Sequence, residues 1–327
     1  MLTFFRTNQL FSSILLVFYI FILRFSVFVA PFKWNPSGEG ILSYLLYELL
    51  GSQTIWAHAL AIFLLVIQGF LINSIVLRGR LSNEVNLFPG VFYVFVSCSV
   101  PDFLYLSPVL IGNTFVLIAL IELFSTYKVA SCADRIFNVG FWTGVASLFY
   151  FPFIFFFILI NAGLNILRAF NIKERLMLMI GLAMPFLLAS MCYFATDQFD
   201  FFWEIQFSNN LAFMSFGGDL PGWEVYIKVI LFAVAILFVV LNNASYMAKR
   251  NIQSQKKINI LYWVMISAFI STFFQANLSF EHLIMLAPPL GVFLGFTFTD
   301  LKSQWAESIH FLMLLLALSL QWVPWQL

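Results

Sequence analysis

The chain has 327 residues, of which 62% are hydrophobic and only 9% are charged, and its formal net charge is +1. Soluble domains carry about 25% charged residues, so this chain has too little polar surface to cover a water-facing exterior. The balanced charge and the lack of a long basic cluster give no indication of nucleic-acid binding. Apolar runs of about 20 residues recur from end to end, which predicts an all-α polytopic integral membrane protein with one transmembrane domain over residues 1–327.

The first part of the chain predicts four spans and one helix that lies on the membrane surface. Arg24 falls near the end of the first span, where a charged group must reach the interface or find a partner. A predicted outer loop at 31–54 contains Glu39 and an apolar stretch at 41–50, which is too short to cross and is typical of an interfacial amphipathic helix. The spans are predicted at about 12–30, 55–77, 85–100 and 104–124.

The segment 137–167 is too long for one untilted span and too short for two ordinary spans. The loops before and after it are rich in Lys and Arg, and such short loops stay in the cytoplasm. Both loops can lie on one side only if the segment crosses an even number of times. We therefore predict a broken helical hairpin around residues 150–152, with Gly140, Gly144 and Pro152 as the breaking residues. The alternative is one long tilted span with a basic loop outside.

The second half of the chain predicts five more spans and one acidic loop. The loop at 197–224 contains five acids and neither Lys nor Arg. The spans are predicted at about 176–196, 225–247, 258–275, 283–298 and 305–323. The total is about 11 membrane elements, within a range of 9–12, with the N-terminus in the cytoplasm and the C-terminus in the periplasm.

This topology puts 13 of the 16 basic residues in cytoplasmic segments, and the exceptions are Arg24, Lys33 and Lys228. It also collects nine of the 15 acids on the outer side. Ordinary solvated loops would explain that asymmetry, and so would an acidic reaction centre that uses a divalent cation. The nine acids are Glu39, Glu48, Asp102, Asp197, Asp200, Glu204, Asp219, Glu224 and Glu281.

Two short stretches carry the candidate chemistry. Asp102 lies in a tight turn between two spans, where it could act as a general base, bind a cation or cap the helix that follows. Glu281 and His282 open a span from the outer side. One explanation is that the helix dipole alone favours a Glu at this position. The other is that Glu281 joins a site in which His282 transfers a proton or contacts a pyrophosphate. The cysteines have no metal-ligand spacing, and nucleotide-binding and hydrolase motifs are absent.

The layout resembles the lipid-phosphate-dependent glycosyltransferases of the GT-C class. The resemblance rests on the first outer loop with its interfacial helix, on short broken spans, and on the late segment FEHLIMLAPPL at 280–290. It implies sugar transfer at the outer face from a polyprenyl-phosphate-linked donor. Under this hypothesis the catalytic candidates are Asp102, Glu39, Glu281 and His282, and Arg24 and His282 would bind phosphate.

The opening MLTFFRTNQLFSSILLVFYIFILR and the order of spans are also similar to a family of inner-membrane proteins from Bacteroidota, a resemblance that implies no activity. The expected location is the bacterial inner membrane, and the expected partners are membrane lipid and other inner-membrane proteins. A non-catalytic subunit of an envelope export, motility or assembly complex is the alternative function. A transporter comes third, because mid-span polar residues such as Asn113 and Asn161 are few.

Overall fold

The computed structural model describes residues 2–6, 10–29, 39–82, 84–210, 223–248, 250–274 and 279–322, and the regular structure within these ranges is helical. The α-helices are α1 Leu10–Leu23, α2 Phe25–Val29, α3 Ile41–Leu50, α4 Ile55–Gly79, α5 Phe88–Val96, α6 Pro108–Ser125, α7 Ala133–Phe149, α8 Phe156–Leu167, α9 Ile172–Ala195, α10 Phe199–Trp203, α11 Trp223–Leu241, α12 Asn243–Ala248, α13 Ile252–Thr272, α14 Ala287–Asp300 and α15 Ser303–Trp322. Short 3-10 helices occupy Leu2–Arg6, Pro101–Phe103, Phe151–Phe155 and Phe280–Leu286, and a π-helix occupies Glu204–Ser208.

The protein is a polytopic helical membrane protein, as predicted. Within the described residues, five helical segments are long and apolar enough to cross a bilayer: Ile55–Gly79, Pro108–Ser125, Ile172–Ala195, Phe280–Asp300 and Ser303–Trp322. The remaining predicted elements correspond to α1, α5, α7, α8, α11 and α13, so each of the 11 predicted elements has a helical counterpart. The segment predicted as an interfacial helix is α3, which has the predicted bounds, and its place at the membrane surface stays a prediction.

Hydrogen bonds between distant segments sort the helix ends onto two faces. On one face Arg6 Nη2 donates to Leu301 O at 3.0 Å, and Ser254 Oγ donates to Arg80 O. On the other face Gly40 N donates to Phe149 O at 2.9 Å. We call the first the basic face, which holds residues 2–6, 80–82, 84–87, 126–132, 168–172, 250–254 and 300–303. We call the second the acidic face, which holds residues 39–54, 97–107, 147–155, 196–210 and 279–286. The charge pattern predicts that the basic face is cytoplasmic.

The predicted hairpin at 137–167 is confirmed by the position of Arg168. This residue follows α8, yet its Nη1 donates to Thr126 O at 2.9 Å and also to Val129 O, just before α7 begins. The chain therefore enters from the basic face as α7 and returns to that face as α8. The break is the 3-10 segment Phe151–Phe155, which contains Pro152.

The predicted role of Gly140 and Gly144 as helix breakers is wrong. Both residues lie inside the continuous helix α7, where they let α9 approach closely. A Cβ at Gly140 would lie 2.3 Å from Leu178 O, and one at Gly181 would lie 2.3 Å from Phe137 O. Small residues allow two membrane helices to pack backbone against backbone, so this contact needs glycine on both helices.

Several predicted boundaries are also wrong, and local chemistry explains them. The third span shortens to α5, all nine residues of which are buried by surrounding helices. Span four begins at Pro108 rather than at residue 104, because Ser107 caps it. Span one breaks at Arg24, and span seven ends at Leu241.

The acidic loop predicted at 197–224 is helical over α10 and the π-helix that follows. Its remainder at 211–222, which includes Asp219, lies outside the described residues, as do the side chain of Glu224 and the first-loop residues 31–38.

Candidate functional site

The turn at residues 101–107 is the segment of the acidic face that several charged and polar side chains contact. Asp102 is 9% exposed, and its Oδ2 accepts a hydrogen bond from Lys228 Nζ at 2.6 Å. Lys228 itself is 3% exposed, and its ammonium lies 5.4 Å from the centre of the Phe280 ring. Asp102 is therefore one half of a buried ion pair that joins the turn to α11.

The interpretation of Asp102 as a helix cap is wrong. The cap of α6 is Ser107, whose Oγ accepts the backbone N–H of Leu110 at 3.1 Å. Two prolines make this arrangement possible, because Pro101 starts the 3-10 turn and Pro108 occupies the first position of α6. Asp102 is thereby left to face Lys228 instead of the helix N-terminus.

Arg24 is the second buried cation that holds the same turn. It lies at the break between α1 and α2, is 1% exposed, and its Nη2 donates to Leu104 O. Its other terminal nitrogen, Nη1, is buried without a hydrogen-bond partner within the described residues. Arg24 and Lys228 are two of the three basic residues that break the charge asymmetry of the sequence, and both contact the 101–107 turn.

Helix α3 is fixed on the tip of the hairpin, and this contact positions Glu39. Gly40 N and Ser43 Oγ both donate to Phe149 O, at 2.9 and 2.8 Å. A Cβ at Gly40 would lie 2.2 Å from Leu148 O, so only glycine allows this approach. Asn210 Nδ2 adds a bond to Glu39 O at 3.2 Å.

The side chain of Gln206 joins α3 to the hairpin from the π-helix. Gln206 Oε1 accepts the backbone N–H of Ile41 at 3.0 Å, and Gln206 Nε2 donates to Ser147 O at 2.9 Å. The first outer loop, the hairpin tip and the segment after α9 are thus tied together by one fully buried amide.

The side chain of Tyr47 lies between α3 and the 101–107 turn. Its hydroxyl donates to Leu106 O at 2.6 Å, which brings α3 against the 101–107 turn. Burial raises the pKa of Tyr47 well above its usual range, and the negative charges of Glu281 and then Glu39 raise it further. Both carboxylates are therefore within electrostatic range of the phenol. Burial also raises the pKa of the Glu39 carboxyl, which is half-buried rather than enclosed.

His282 is placed among protein hydroxyls. Its Nδ1 lies 3.0 Å from the Tyr150 hydroxyl, and its Nε2 lies 3.0 Å from Ser271 Oγ and 3.2 Å from Ala268 O. The side chain is almost completely buried. These contacts occupy both ring nitrogens, so His282 ties the hairpin tip to α13 and the segment 280–286.

The structure brings the predicted residues to one region in two groups. Glu39 and Glu281 both lie within electrostatic range of Tyr47. Asp102 and Arg24 belong to the adjoining turn, where Arg24 and Tyr47 donate to carbonyls two residues apart. His282 is adjacent in sequence to Glu281 but is directed into the helix packing.

Lys228 and Tyr47 are the functional-site residues that the sequence reasoning did not select. For Lys228 a signal existed, since its position on the acidic side breaks the charge bias. A tyrosine within an apolar surface helix is common, so Tyr47 carried no comparable signal.

An apolar groove of about 710 Å³ lies beside this region, between α8, α9 and the segment 199–207. Its lining is aromatic and aliphatic except for Ser190. Phe207, the neighbour of Gln206, is one of its lining residues, so the groove reaches the segment that holds α3. Such a groove fits a long hydrocarbon chain.

No group of three or more His, Cys, Asp or Glu side chains in the described ranges is arranged to hold a metal ion.

No protein-family model matches the sequence, and no curated protein matches it significantly. A structural match exists to the crystal structure of ArnT from Cupriavidus metallidurans bound to undecaprenyl phosphate. The chain is similar in fold to ArnT. The TM-score is 0.51 at 14% sequence identity, over 92% of this chain and 61% of the ArnT chain.

This likeness supports the GT-C-like layout expected from the sequence. Because the sequence identity is low, this structural match is evidence about the fold alone. The chain spans less than two thirds of the length of ArnT, so an activity shared by the two proteins is a proposal. The resemblance to a Bacteroidota family stays a prediction.

Proposed function

We propose that this protein transfers a glycosyl group from a polyprenyl-phosphate-linked donor at the acidic face of the bacterial inner membrane. The observation that carries the proposal is the seating of α3 on the hairpin tip, which places Glu39 on the face that also holds Glu281 and packs Tyr47 against the 101–107 turn. The fold supports it, since ArnT, which shares that fold, was solved with undecaprenyl phosphate bound.

Glu39 is the best placed general base. It is half-buried just before α3, and burial raises the pKa of its carboxyl toward the range in which a carboxylate accepts a proton efficiently. Asp102, in contrast, is committed to Lys228 at 2.6 Å. In the proposed reaction the acceptor hydroxyl attacks the anomeric carbon and gives its proton to Glu39. The bond from that carbon to the phosphate oxygen breaks, and polyprenyl phosphate leaves.

Arg24 is the proposed phosphate ligand, because its buried Nη1 has no hydrogen-bond partner within the described residues. A buried guanidinium nitrogen without a partner is costly, and a phosphate oxygen would satisfy it. We assign His282 to positioning rather than to phosphate binding, since both its ring nitrogens already face protein atoms. The isoprenoid chain of the donor would occupy the apolar groove near Phe207.

The test is a transfer assay with the full chain in liposomes. The chain is supplied with a panel of polyprenyl-phosphate sugars, and the released polyprenyl phosphate is measured by mass spectrometry. Glu39→Gln should lower the rate by about 100-fold or more, because it removes a general base. Glu48→Gln is the matched control, since Glu48 lies on α3, which follows Glu39 directly, but is exposed. Equal rates for Glu39→Gln and the wild type would exclude Glu39 as the base. No turnover by the wild type with any donor would favour the non-catalytic subunit.

A further inference from the structure

A second cavity, partly lined by polar side chains, lies toward the basic face and shares no residue with the acidic-face site. It measures about 130 Å³ and lies between the ends of α4 and α6 and the first half of α13. Its polar lining consists of Ser74, Arg78, Ser125 and Lys257, and its apolar lining includes Ile121 and Phe124. At about 30 Å³ per molecule, this volume equals about four waters, which is enough for one small oxyanion.

Lys257 is a buried cation without a counterion in the described part of the chain. It is 3% exposed and forms no ion pair there. Its Nζ has one long hydrogen bond to Gly79 O at 3.4 Å and lies 5.5 Å from the centre of the Phe124 ring. A carbonyl and a ring compensate only part of the cost of removing an ammonium from water. The cavity beside Lys257 is where an anion would complete the compensation.

The other cavity groups favour the same ligand charge. Arg78 is exposed at the mouth, and Ser74 lies one turn before it on the same face of α4. Ser125 Oγ donates to Glu122 O at 2.6 Å, so its hydrogen is already used. The donors that face the cavity are therefore an ammonium, a guanidinium and one hydroxyl, a combination typical of phosphate recognition.

We propose that this cavity binds a phosphate group, with Lys257 and Arg78 neutralising its charge. The phosphate could belong to an anionic phospholipid or be free in solution. The cavity opens at the ends of membrane-spanning helices and has apolar side chains on one wall, which is the setting of a lipid headgroup with its acyl chains alongside. Basic pockets between transmembrane helices on the cytoplasmic side bind anionic headgroups in this manner.

The experiment measures lipid binding to the full chain in detergent by native mass spectrometry. The probes are dioleoyl phosphatidylglycerol and dioleoyl phosphatidylcholine. The wild type should bind the anionic lipid at least about fivefold more tightly, and Lys257→Met and Arg78→Gln should each weaken that preference about fivefold, the contribution expected of one basic residue near a headgroup. Lys302→Gln is the control, because Lys302 is exposed on the basic face but does not line the cavity.

Inorganic phosphate at about tenfold excess over the lipid serves as the competing probe. Displacement of the lipid by inorganic phosphate would support a phosphate site that is open to the free ion. No displacement, together with the loss of preference in the variants, would support the lipid headgroup. Equal binding of the two lipids by the wild type, or an unchanged preference in both variants, would overturn the proposal. Arg78 is exposed, so Arg78→Gln should fold normally and tests the proposal even if Lys257→Met misfolds. Sugar transfer does not enter this measurement.

Discussion

The ion pair between Asp102 and Lys228 offers the sharpest test of how the acidic face is held together. The side chains are 12% and 4% exposed, and the two charged atoms lie 2.6 Å apart. At an effective dielectric constant of about 20, this distance corresponds to about 6 kcal/mol of attraction, from which the desolvation of both groups must be subtracted. Breaking such a pair from one side costs about 3–5 kcal/mol, because the remaining charge stays buried.

We therefore expect Asp102→Asn to lower the free energy of unfolding by about 3 kcal/mol or more. Lys228→Met should cost less than Asp102→Asn, because the remaining carboxylate is the more exposed of the two groups. The double variant should be more stable than Asp102→Asn alone, since it leaves no buried charge, and the coupling energy of the cycle should be about 2–3 kcal/mol.

The assay is equilibrium unfolding in mixed micelles by titration with SDS, followed by tryptophan fluorescence. Asp200→Asn, an exposed acid on the same face, serves as the control and should change the free energy of unfolding by less than about 0.5 kcal/mol. A coupling energy below about 0.5 kcal/mol would refute the argument, because it would mean that water solvates the two charges as it does in an exposed ion pair.

Three further predictions concern the position of α3, the base and the topology. Gly40→Ala should lower transfer activity at normal expression, because the new Cβ must move α3 away from Leu148 O, 2.2 Å distant; unchanged activity would mean that the contact does not position the site. If Glu39 is the base, kcat/KM should fall as the pH drops through a pKa above the ordinary Glu value of about 4.3, since burial favours the protonated carboxyl; an acidic limb at or below that value would contradict this role. In a background without the native cysteines, a membrane-impermeant maleimide should label Gln53→Cys in intact cells with a permeable outer membrane and Asn171→Cys only after the inner membrane is opened. The reverse pattern would invert the predicted orientation.

The sequence determined the class, the number of membrane elements and the hairpin at 137–167. These follow from hydropathy and loop charge, which are local properties that add along the chain and do not depend on which helices touch. The charge of Arg168 and its neighbours predicted that the segment returns to its starting face, and the bond from Arg168 to Thr126 O shows that it does. The sequence did not predict the role of Gly140 and Gly144 in α7. A glycine that breaks a helix and a glycine that allows a neighbouring helix backbone to approach closely have the same signature in the sequence.

Only the tertiary structure decided which charged groups meet. Asp102 and Lys228 are 126 residues apart, and their pairing depends on how α11 docks against the 101–107 turn. The position of Glu39 on the same face as Glu281 likewise depends on the seating of α3 at the hairpin tip and on the bond from Tyr47 to Leu106 O. A buried charge indicates by itself that a partner exists, because its desolvation must be compensated. The identity of the partner is a matter of helix packing, which no local pattern in the sequence records.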